Sequence, residues 1–145
     1  MKVMTIDTPK GTIVCSLATA PEAGVSSTIA NFEQKANSGY FNGLKFHRVE
    51  DWVIQGGDPT GTGSGGNKMP AEYNNLPFNA GALGVARGPD KSRNSDCQYF
   101  IVKRDSRFLD GEYTNFGQVI EGMDVVQSVS IGDTMSKVAV EERET

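Results

Sequence analysis

Short runs in which apolar and polar residues alternate are the dominant pattern along the chain. Residues 3–7 and 12–17 are two such runs, and the turn sequence Thr-Pro-Lys-Gly at 8–11 separates them. Because alternation places successive side chains on opposite faces of a strand, the two runs are predicted to pair as an antiparallel hairpin. Further strands are predicted at 81–87, 97–103, 113–120 and 137–142. Small residues dominate the first of these, which predicts the floor of a groove.

Only two stretches have helical spacing. Residues 29–36 carry apolar side chains at that spacing, after Ser26 or Ser27 as a cap and before a stop at 37–39. Residues 123–129 carry a shorter helical pattern. Some eight short strands with two short helices predict a mostly β fold. We expect a closed eight-stranded antiparallel barrel capped by the two helices, since closure removes exposed edges.

The stretch 44–58 contains the candidate active site. Its β-forming residues predict a hairpin with Arg48 on one strand and Gln55 on the other. Alternation places Val53 on the face of Gln55 and turns His47 away from Arg48, so His47 is expected to make a structural hydrogen bond. A cation, an amide and an apolar contact therefore converge. The alternative is an ordinary amphipathic hairpin with a solvated arginine.

A glycine-rich loop follows at residues 59–66 and is expected to lie on the surface. It contains a Gly-x-Gly-x-x-Gly sequence that formally matches a dinucleotide fingerprint. Such a site needs a following helix and an acidic residue about twenty positions further on. Here Pro70 arrives almost at once, and residues 73–89 contain no carboxylate. No nucleotide site is predicted.

Composition fits one globular domain over residues 1–145. The chain is 37% hydrophobic and 22% charged, and its length allows a core of its own. A net charge of −4, a pI near 5.0 and scattered basic residues argue against a nucleic-acid partner. No signal-peptide core and no bilayer-spanning run is visible, which predicts a cytoplasmic protein with no membrane contact.

Groups for metal or nucleophilic chemistry are few. Cys15 and Cys97 match no metal spacing and the chain has one histidine, so no metal site and no cofactor is predicted, and both thiols are expected to be free. The histidine has no nucleophilic serine or cysteine in a recognisable motif, which argues against a hydrolase.

Separated motifs follow one another in order along the chain. They are Phe-His-Arg-Val at 46–49, Gln-Gly-Gly-Asp at 55–58 with the loop to 66, Gln-Tyr-Phe-Ile at 98–101, Phe-Leu-Asp-Gly at 108–111 and Phe-Gly at 116–117. In this order and spacing they resemble the cyclophilin family of peptidyl-prolyl cis-trans isomerases, from Gly11 to about Val129. The resemblance implies a barrel capped by two helices with its groove outside. The implied partners are proline-containing peptides and unfolded protein clients.

The resemblance also implies residue roles. Arg48 is the catalytic cation, and Gln55 and Phe100 complete the catalytic group. The implied substrate-binding residues, which line the proline pocket or contact the peptide, are Trp52, Val53, Ala86, Arg87, Gln98, Phe108, Leu109 and Tyr113.

Several positions depart from the family pattern. Arg87 stands where asparagine is usual, which is expected to alter the preference for residues that flank the proline. The segment 50–52 is shorter than usual and has Trp52 near the expected phenylalanine, so the local pocket geometry is expected to differ. Phe108 replaces tryptophan and Tyr113 replaces histidine. Since phenylalanine lacks the indole N–H, we predict an active enzyme that binds the inhibitor cyclosporin weakly.

The implied reaction needs no nucleophile and no general base. A prolyl bond resists rotation by about 18–20 kcal/mol because nitrogen donates its lone pair into the carbonyl. A guanidinium beside that nitrogen can weaken the donation while an apolar pocket holds the ring. The main prediction is therefore an isomerase, which we expect to be a monomer. The alternative is a module or chaperone that binds proline segments with little turnover, and an isomerisation assay discriminates the two.

Overall fold

The computed structural model describes residues 1–144 and contains ten strands and two α-helices. The strands are β1 Lys2–Thr8, β2 Gly11–Leu17, β3 Phe46–Val49, β4 Val53–Gly56, β5 Lys68–Pro70, β6 Ala82–Val85, β7 Arg93–Ser95, β8 Tyr99–Val102, β9 Asn115–Glu121 and β10 Lys137–Glu142. The helices are α1 Ser26–Asn37 and α2 Met123–Ser128, and short 3-10 turns lie at Pro21–Ala23 and Arg107–Leu109. The prediction of a mostly β fold with two short helices is confirmed.

Eight strands form one curled antiparallel sheet in the order β10-β1-β2-β9-β6-β8-β4-β3. The predicted first hairpin is present as β1 and β2, with Thr8 opposite Gly11. The predicted closure of the barrel is corrected, because the edge strands β3 and β10 do not pair with each other. The sheet is a half-barrel.

The reason for the open edge lies in the segment before β10. Residues 43–46 exchange backbone hydrogen bonds with residues 132–135, but only one isolated bridge forms, between Lys45 and Thr134. This segment includes Gly132 with φ near +88°, a turn conformation that interrupts an extended ladder. The contact therefore holds the two edges near each other without a strand pairing.

Side chains on the concave face of the sheet form the main core. Ile54, Tyr99 and Phe116 are fully buried there. Helix α1 contributes Phe32, whose ring stacks on Phe116 with centroids 4.9 Å apart and meets Tyr99 edge-on at 5.9 Å. The apolar face of α1 therefore packs against the sheet interior, as the spacing of its apolar residues predicted.

The predicted serine cap of α1 is wrong. The N-cap position is Val25, and no side chain there caps the helix. Instead the carboxylate of Glu72 accepts hydrogen bonds from the backbone N and the hydroxyl of Thr28, both at 2.7 Å. A residue distant in sequence thus binds one of the backbone N–H groups that the first turn leaves without a partner inside the helix. No helix within residues 1–144 is long and apolar enough to cross a bilayer.

A separate two-stranded ribbon, β5 with β7, stands beside the main sheet. It pairs Lys68 with Ser95 and Pro70 with Arg93. Residues 88–95 are polar and rich in turn formers, and no strand was predicted between 87 and 97, so β7 was missed. Three residues are too few for alternation to reveal a strand.

Candidate active site

The candidate site lies on the convex face of β4 and β8. Gln55 is opposite Phe100 in the antiparallel register. Alternation places Val53 on the same outer face as Gln55, and Gln98 on the same outer face as Phe100. The strands that build the core on one side therefore present amides and apolar side chains on the other.

An open cavity of about 320 Å³ lies over this face. Its volume is near the lower end of ligand sites, about 300 to 1,000 Å³, which suits one ring with its flanking backbone. The lining residues are Arg48, Trp52, Val53, Gln55, Ala86, Arg87, Phe100, Phe108, Leu109 and Tyr113. Every predicted site residue except Gln98 is in this set, and Gln98 contacts it through a hydrogen bond from Gln55.

Phe100 forms the apolar floor of the cavity. The residue is 5% exposed, and its ring stacks on Phe78 at 5.9 Å and meets Tyr113 edge-on at 5.8 Å. Gly84 lies directly behind it on β6, and a Cβ at that position would overlap the ring. Gly84 is thus a residue that positions Phe100, and the sequence signalled it only through the small-residue run at 81–87.

Arg48 lies at the rim of the cavity with 44% of its side chain exposed. Its Nη1 donates to Oε1 of Gln55 at 3.2 Å, and its Nε donates to the carboxylate of Glu50. The guanidinium carbon is 5.5 Å from the centre of the Trp52 ring, within range of a cation–π contact. The Glu50 pair was not anticipated. Since both partners are nearly half exposed, water screens it to about 1 kcal/mol or less.

The side-chain amides of Gln55 and Gln98 connect Arg48 to the glycine-rich loop. Nε2 of Gln55 donates to Oε1 of Gln98 at 3.1 Å. Nε2 of Gln98 in turn donates to the carbonyls of Gly63 and Gly65 at 3.0 and 3.1 Å. The loop itself is largely exposed, as predicted, while Gln98 is 5% exposed.

Asp58, the last residue of the Gln-Gly-Gly-Asp motif, lies under that loop and is 1% exposed. Its carboxylate accepts hydrogen bonds from the backbone N–H and hydroxyl of Thr60 and from the N–H groups of Gly63 and Gly65. Burial alone would raise the pKa of Asp58, but these hydrogen bonds hold that pKa far below its ordinary value. The carboxylate therefore stays charged. Its role was not predicted.

Two of the departures from the family pattern contact each other. The guanidinium of Arg87 lies 4.3 Å from the centre of the Tyr113 ring. Its Nε and Nη2 donate to the carbonyl of Glu112 at 3.1 and 2.8 Å, and its Nη1 donates to the carbonyl of Gly88 at 2.9 Å. Arg87 is therefore held against the cavity wall by an aromatic face and two carbonyls.

Trp52 and Phe108 together form an outer edge of the cavity. Their ring centroids are 5.3 Å apart with the planes tilted by 60°. Phe108 is 69% exposed, so this edge is largely open to water. The segment 50–52 thus places Trp52 beside Phe108, the residue that was predicted to replace the family's tryptophan.

A second open cavity of about 260 Å³ adjoins the first and shares Gln55, Ala86 and Arg87 with it. Residues of the glycine-rich loop and of the β5–β7 ribbon line its far side, including Lys68 and Arg93. The two cavities are therefore continuous enough for a peptide bound in the first to extend into the second.

His47 does not line the first cavity. A β-bulge between Phe46 and Arg48 shifts the register here, and the His47 ring lies against the backbone of Gly63. Its Nδ1 is buried without a hydrogen-bond partner in the described part of the chain, so the expected structural hydrogen bond is not found at this atom. Burial lowers the pKa of His47, and Asp58 opposes this shift in part.

The cysteines and acidic residues form no metal centre in the part of the chain that the structure describes. No group of three or more His, Cys, Asp or Glu side chains in residues 1–144 is arranged to bind an ion. Cys15 and Cys97 are both free and buried, and burial raises the pKa of each thiol.

Comparison with known proteins identifies the family to which the chain belongs. The model of the family described as cyclophilin type peptidyl-prolyl cis-trans isomerase matches residues 3–144. Peptidyl-prolyl cis-trans isomerase B of Bacillus subtilis is 43% identical over 126 residues, covering 83% of this chain and 86% of its own length. A peptidyl-prolyl cis-trans isomerase of Synechococcus elongatus is 37% identical over 140 residues, covering 93% of each chain.

A solved structure has the same fold. The cyclophilin type peptidyl-prolyl cis-trans isomerase of Cryptosporidium parvum, crystallised in the presence of the dipeptide Ala-Pro, superposes with a TM-score of 0.86. It is 25% identical, and the alignment covers 97% of this chain and 99% of that one. The protein therefore belongs to the cyclophilin family of peptidyl-prolyl cis-trans isomerases, a family of enzymes whose substrates are proline-containing peptides.

Proposed function

We propose that the cavity over β4 and β8 is where this enzyme rotates Xaa-Pro bonds, and that residues 1–145 act as one isomerase domain. The observation that carries the site assignment is the guanidinium of Arg48 at the rim of an apolar cavity, one hydrogen bond from Gln55. The family match over residues 3–144 supports the single domain.

The proline ring would rest on the apolar floor made by Val53, Phe100 and Leu109. These side chains are buried and belong to one cluster, so they offer the ring a packed apolar surface from which water is already largely excluded. A rigid floor also fixes the ring while the preceding residue turns. Rotation then takes place on the acyl side of the bond, at the polar side of the cavity.

Arg48 would lower the barrier by binding the proline nitrogen as its lone pair leaves conjugation. The planar amide offers little basicity at nitrogen, whereas the twisted transition state offers a lone pair that a guanidinium N–H can bind. This contact exists chiefly in the transition state, which is the condition for a gain in kcat. Lowering the barrier by about 7 kcal/mol corresponds to roughly five decades of rate.

The amides of Gln55 and Gln98 would orient Arg48 and the peptide backbone. Ala86 and Arg87 lie where the two cavities meet, so they would contact the residues that flank the proline. Arg87 stands where asparagine is usual, and its guanidinium is held against the Tyr113 ring. We expect this arginine to change which residues are preferred next to the proline.

A proline-binding or chaperone module with little turnover is the second candidate. One observation favours it: Glu50 pairs with the Arg48 guanidinium and competes for the same cation. The pair is half exposed, and a weak, screened pair can yield to substrate. We therefore favour the enzyme.

Catalysed exchange between cis and trans forms of a short Xaa-Pro peptide tests the proposal. Line-shape or exchange NMR measures turnover and binding in one sample. Turnover well above the uncatalysed rate supports the isomerase, whereas saturable binding without faster exchange supports the binding module.

Several narrower properties remain proposals. We propose unfolded proteins as clients, because the cavity is open and its neighbour can take adjoining residues. We also propose that the protein acts as a monomer and binds cyclosporin weakly, the latter because Phe108 offers no donor at the cavity edge. A cytoplasmic location stays a prediction from the sequence.

A further inference from the structure

We propose that Asp58 is a positioning residue for catalysis: through the glycine-rich loop and two glutamines, its carboxylate fixes the orientation of the Arg48 guanidinium. The proposal rests on the catalytic role proposed for Arg48. Asp58 lies under the loop and does not line either cavity.

The same two residues connect Asp58 to the site. Gly63 and Gly65 each donate a backbone N–H to Oδ2 of Asp58, at 2.6 and 3.1 Å. Their own carbonyls each accept from Nε2 of Gln98, at 3.0 and 3.1 Å. Because a carboxylate is only an acceptor, it draws these N–H groups inward, and the loop presents the two carbonyls to Gln98.

The direction of donation then passes along the chain of amides. Both hydrogens of the Gln98 amide are used on the two loop carbonyls, so its Oε1 must face Gln55. Gln55 donates to that oxygen from its Nε2, which leaves its own Oε1 as the acceptor for Arg48. Each amide in the series has one orientation that satisfies both neighbours.

Turning the two glutamine amides over would remove the acceptor that Arg48 now uses. If Gln98 lost the two carbonyls and turned over, its NH₂ would face the NH₂ of Gln55. Gln55 would then have to turn as well and present donors to a guanidinium, which has no acceptor. The buried charge on Asp58 therefore sets which end of Gln55 the cation meets, although the carboxylate itself contacts neither.

Asp58→Asn is the direct test. An amide has one acceptor oxygen and places an NH₂ group where two N–H groups now donate, so the loop can keep only part of its hydrogen bonds. We expect kcat to fall about tenfold, the factor for one well-made transition-state hydrogen bond, with KM changed less than about twofold. The side-chain amide NMR signals of Gln55 and Gln98 should shift.

Thr62→Ala is the matched control. The Thr62 hydroxyl bonds only to Thr60 and Ser64 at the exposed side of the same loop. The substitution should loosen the surface of the loop and leave kcat within about twofold of wild type. Thr60→Val is a milder variant should Asp58→Asn fold poorly, since it removes one donor to Asp58 and keeps the charge. It should lower kcat by a smaller factor in the same direction.

A double-mutant cycle separates positioning from general structural loss. If Asp58 acts through Arg48, then adding Asp58→Asn or Thr60→Val to Arg48→Ala should change turnover by less than about twofold. Equal factors in both backgrounds, or a wild-type kcat in folded Asp58→Asn, overturn the inference. A wild-type kcat in Arg48→Ala alone overturns the proposed site instead, so the two failures are distinguishable.

Discussion

The two faces of β4 and β8 differ in what they are built to do. Inward, Ile54 and Tyr99 are fully buried among aromatic side chains of the core. Outward, Val53 and Phe100 belong to a second, smaller cluster that borders an open cavity and a half-exposed arginine. A period of two allows one pair of strands to stabilise the fold with one set of residues and to carry the site with the other.

Adjacent residues on opposite faces should therefore separate stability from activity. Ile54→Ala removes a core side chain and should lower the free energy of unfolding by about 2 to 5 kcal/mol. The surviving folded protein should keep its turnover near wild type, because the outer face is unchanged. Chemical denaturation and the isomerisation assay measure the two quantities.

Val53→Ala is the matched partner of that experiment. It withdraws two methyl groups from the cavity floor, worth about 0.8 kcal/mol each, and should lower kcat/KM about tenfold. Its loss of stability should be clearly smaller than that of Ile54→Ala. If the Ile54 variant loses activity per folded molecule as strongly as the Val53 variant does, the division between the faces is wrong.

The open edge of the cavity should control inhibitor affinity more than turnover. Phe108 keeps an apolar wall and lacks the indole N–H that could donate to a cyclosporin carbonyl. Phe108→Trp should tighten cyclosporin inhibition by one to two decades, equivalent to about 1 to 3 kcal/mol, and change peptide turnover little. Titration of both proteins under one assay decides this. Equal inhibition constants would indicate that neighbouring Trp52 fills the role instead.

Turnover and folding stability should also respond differently to pH. Turnover is expected to be nearly flat between about pH 6 and 8, because arginine stays charged and no general base is assigned. Folding stability is expected to decline as pH falls below 6.5, the ordinary pKa of histidine, because burial lowers the pKa of His47 and the unfolded chain then binds the proton more readily.

His47→Gln is the control for the pH experiment. It removes the titrating ring, so the slope of unfolding free energy near pH 6 should flatten while turnover stays unchanged. The contribution of Asp58 is lost only in stronger acid, below its ordinary value of 3.8, because its pKa is lowered. A bell-shaped rate profile centred near the histidine pKa would show that His47 takes part in catalysis.

The smallest effect is expected at Glu50. Glu50→Gln removes the carboxylate that pairs with Arg48 but leaves a side chain of the same size. Because the pair is exposed and screened, kcat/KM should rise by no more than about threefold, and less at high salt. A tenfold rise would mean that Glu50 holds the cation away from substrate, which strengthens the binding-module alternative.

Alternation made much of the fold and the outer face predictable. The first hairpin, the last strand and the positions of Val53 and Gln55 all follow from a period of two. The family motifs then identified the residues that line the cavity. Phe100 is one of them, and alternation alone could not decide on which face of the sheet its side chain lies. Their catalytic and binding roles stay predictions.

Contacts distant in sequence could not be predicted. Glu72 caps α1 from outside the helix, and Asp58 binds a loop whose pattern shows only glycines. The clearance that Gly84 gives to Phe100 depends on strand register, and the gap between β3 and β10 depends on a turn. The contacts of Glu72, Asp58 and Gly84 result from tertiary geometry that no local pattern encodes.

The rate of catalysed exchange in Arg48→Ala, compared with wild type and Arg48→Lys, tests the central claim most directly. If the guanidinium stabilises the twisted amide, Arg48→Ala should lose two or more decades of turnover, roughly 3 kcal/mol, with little loss of stability because the side chain is exposed. Lysine should restore little, since a point ammonium lacks the planar fork. Near wild-type exchange catalysed by a well-folded Arg48→Ala protein would contradict the account.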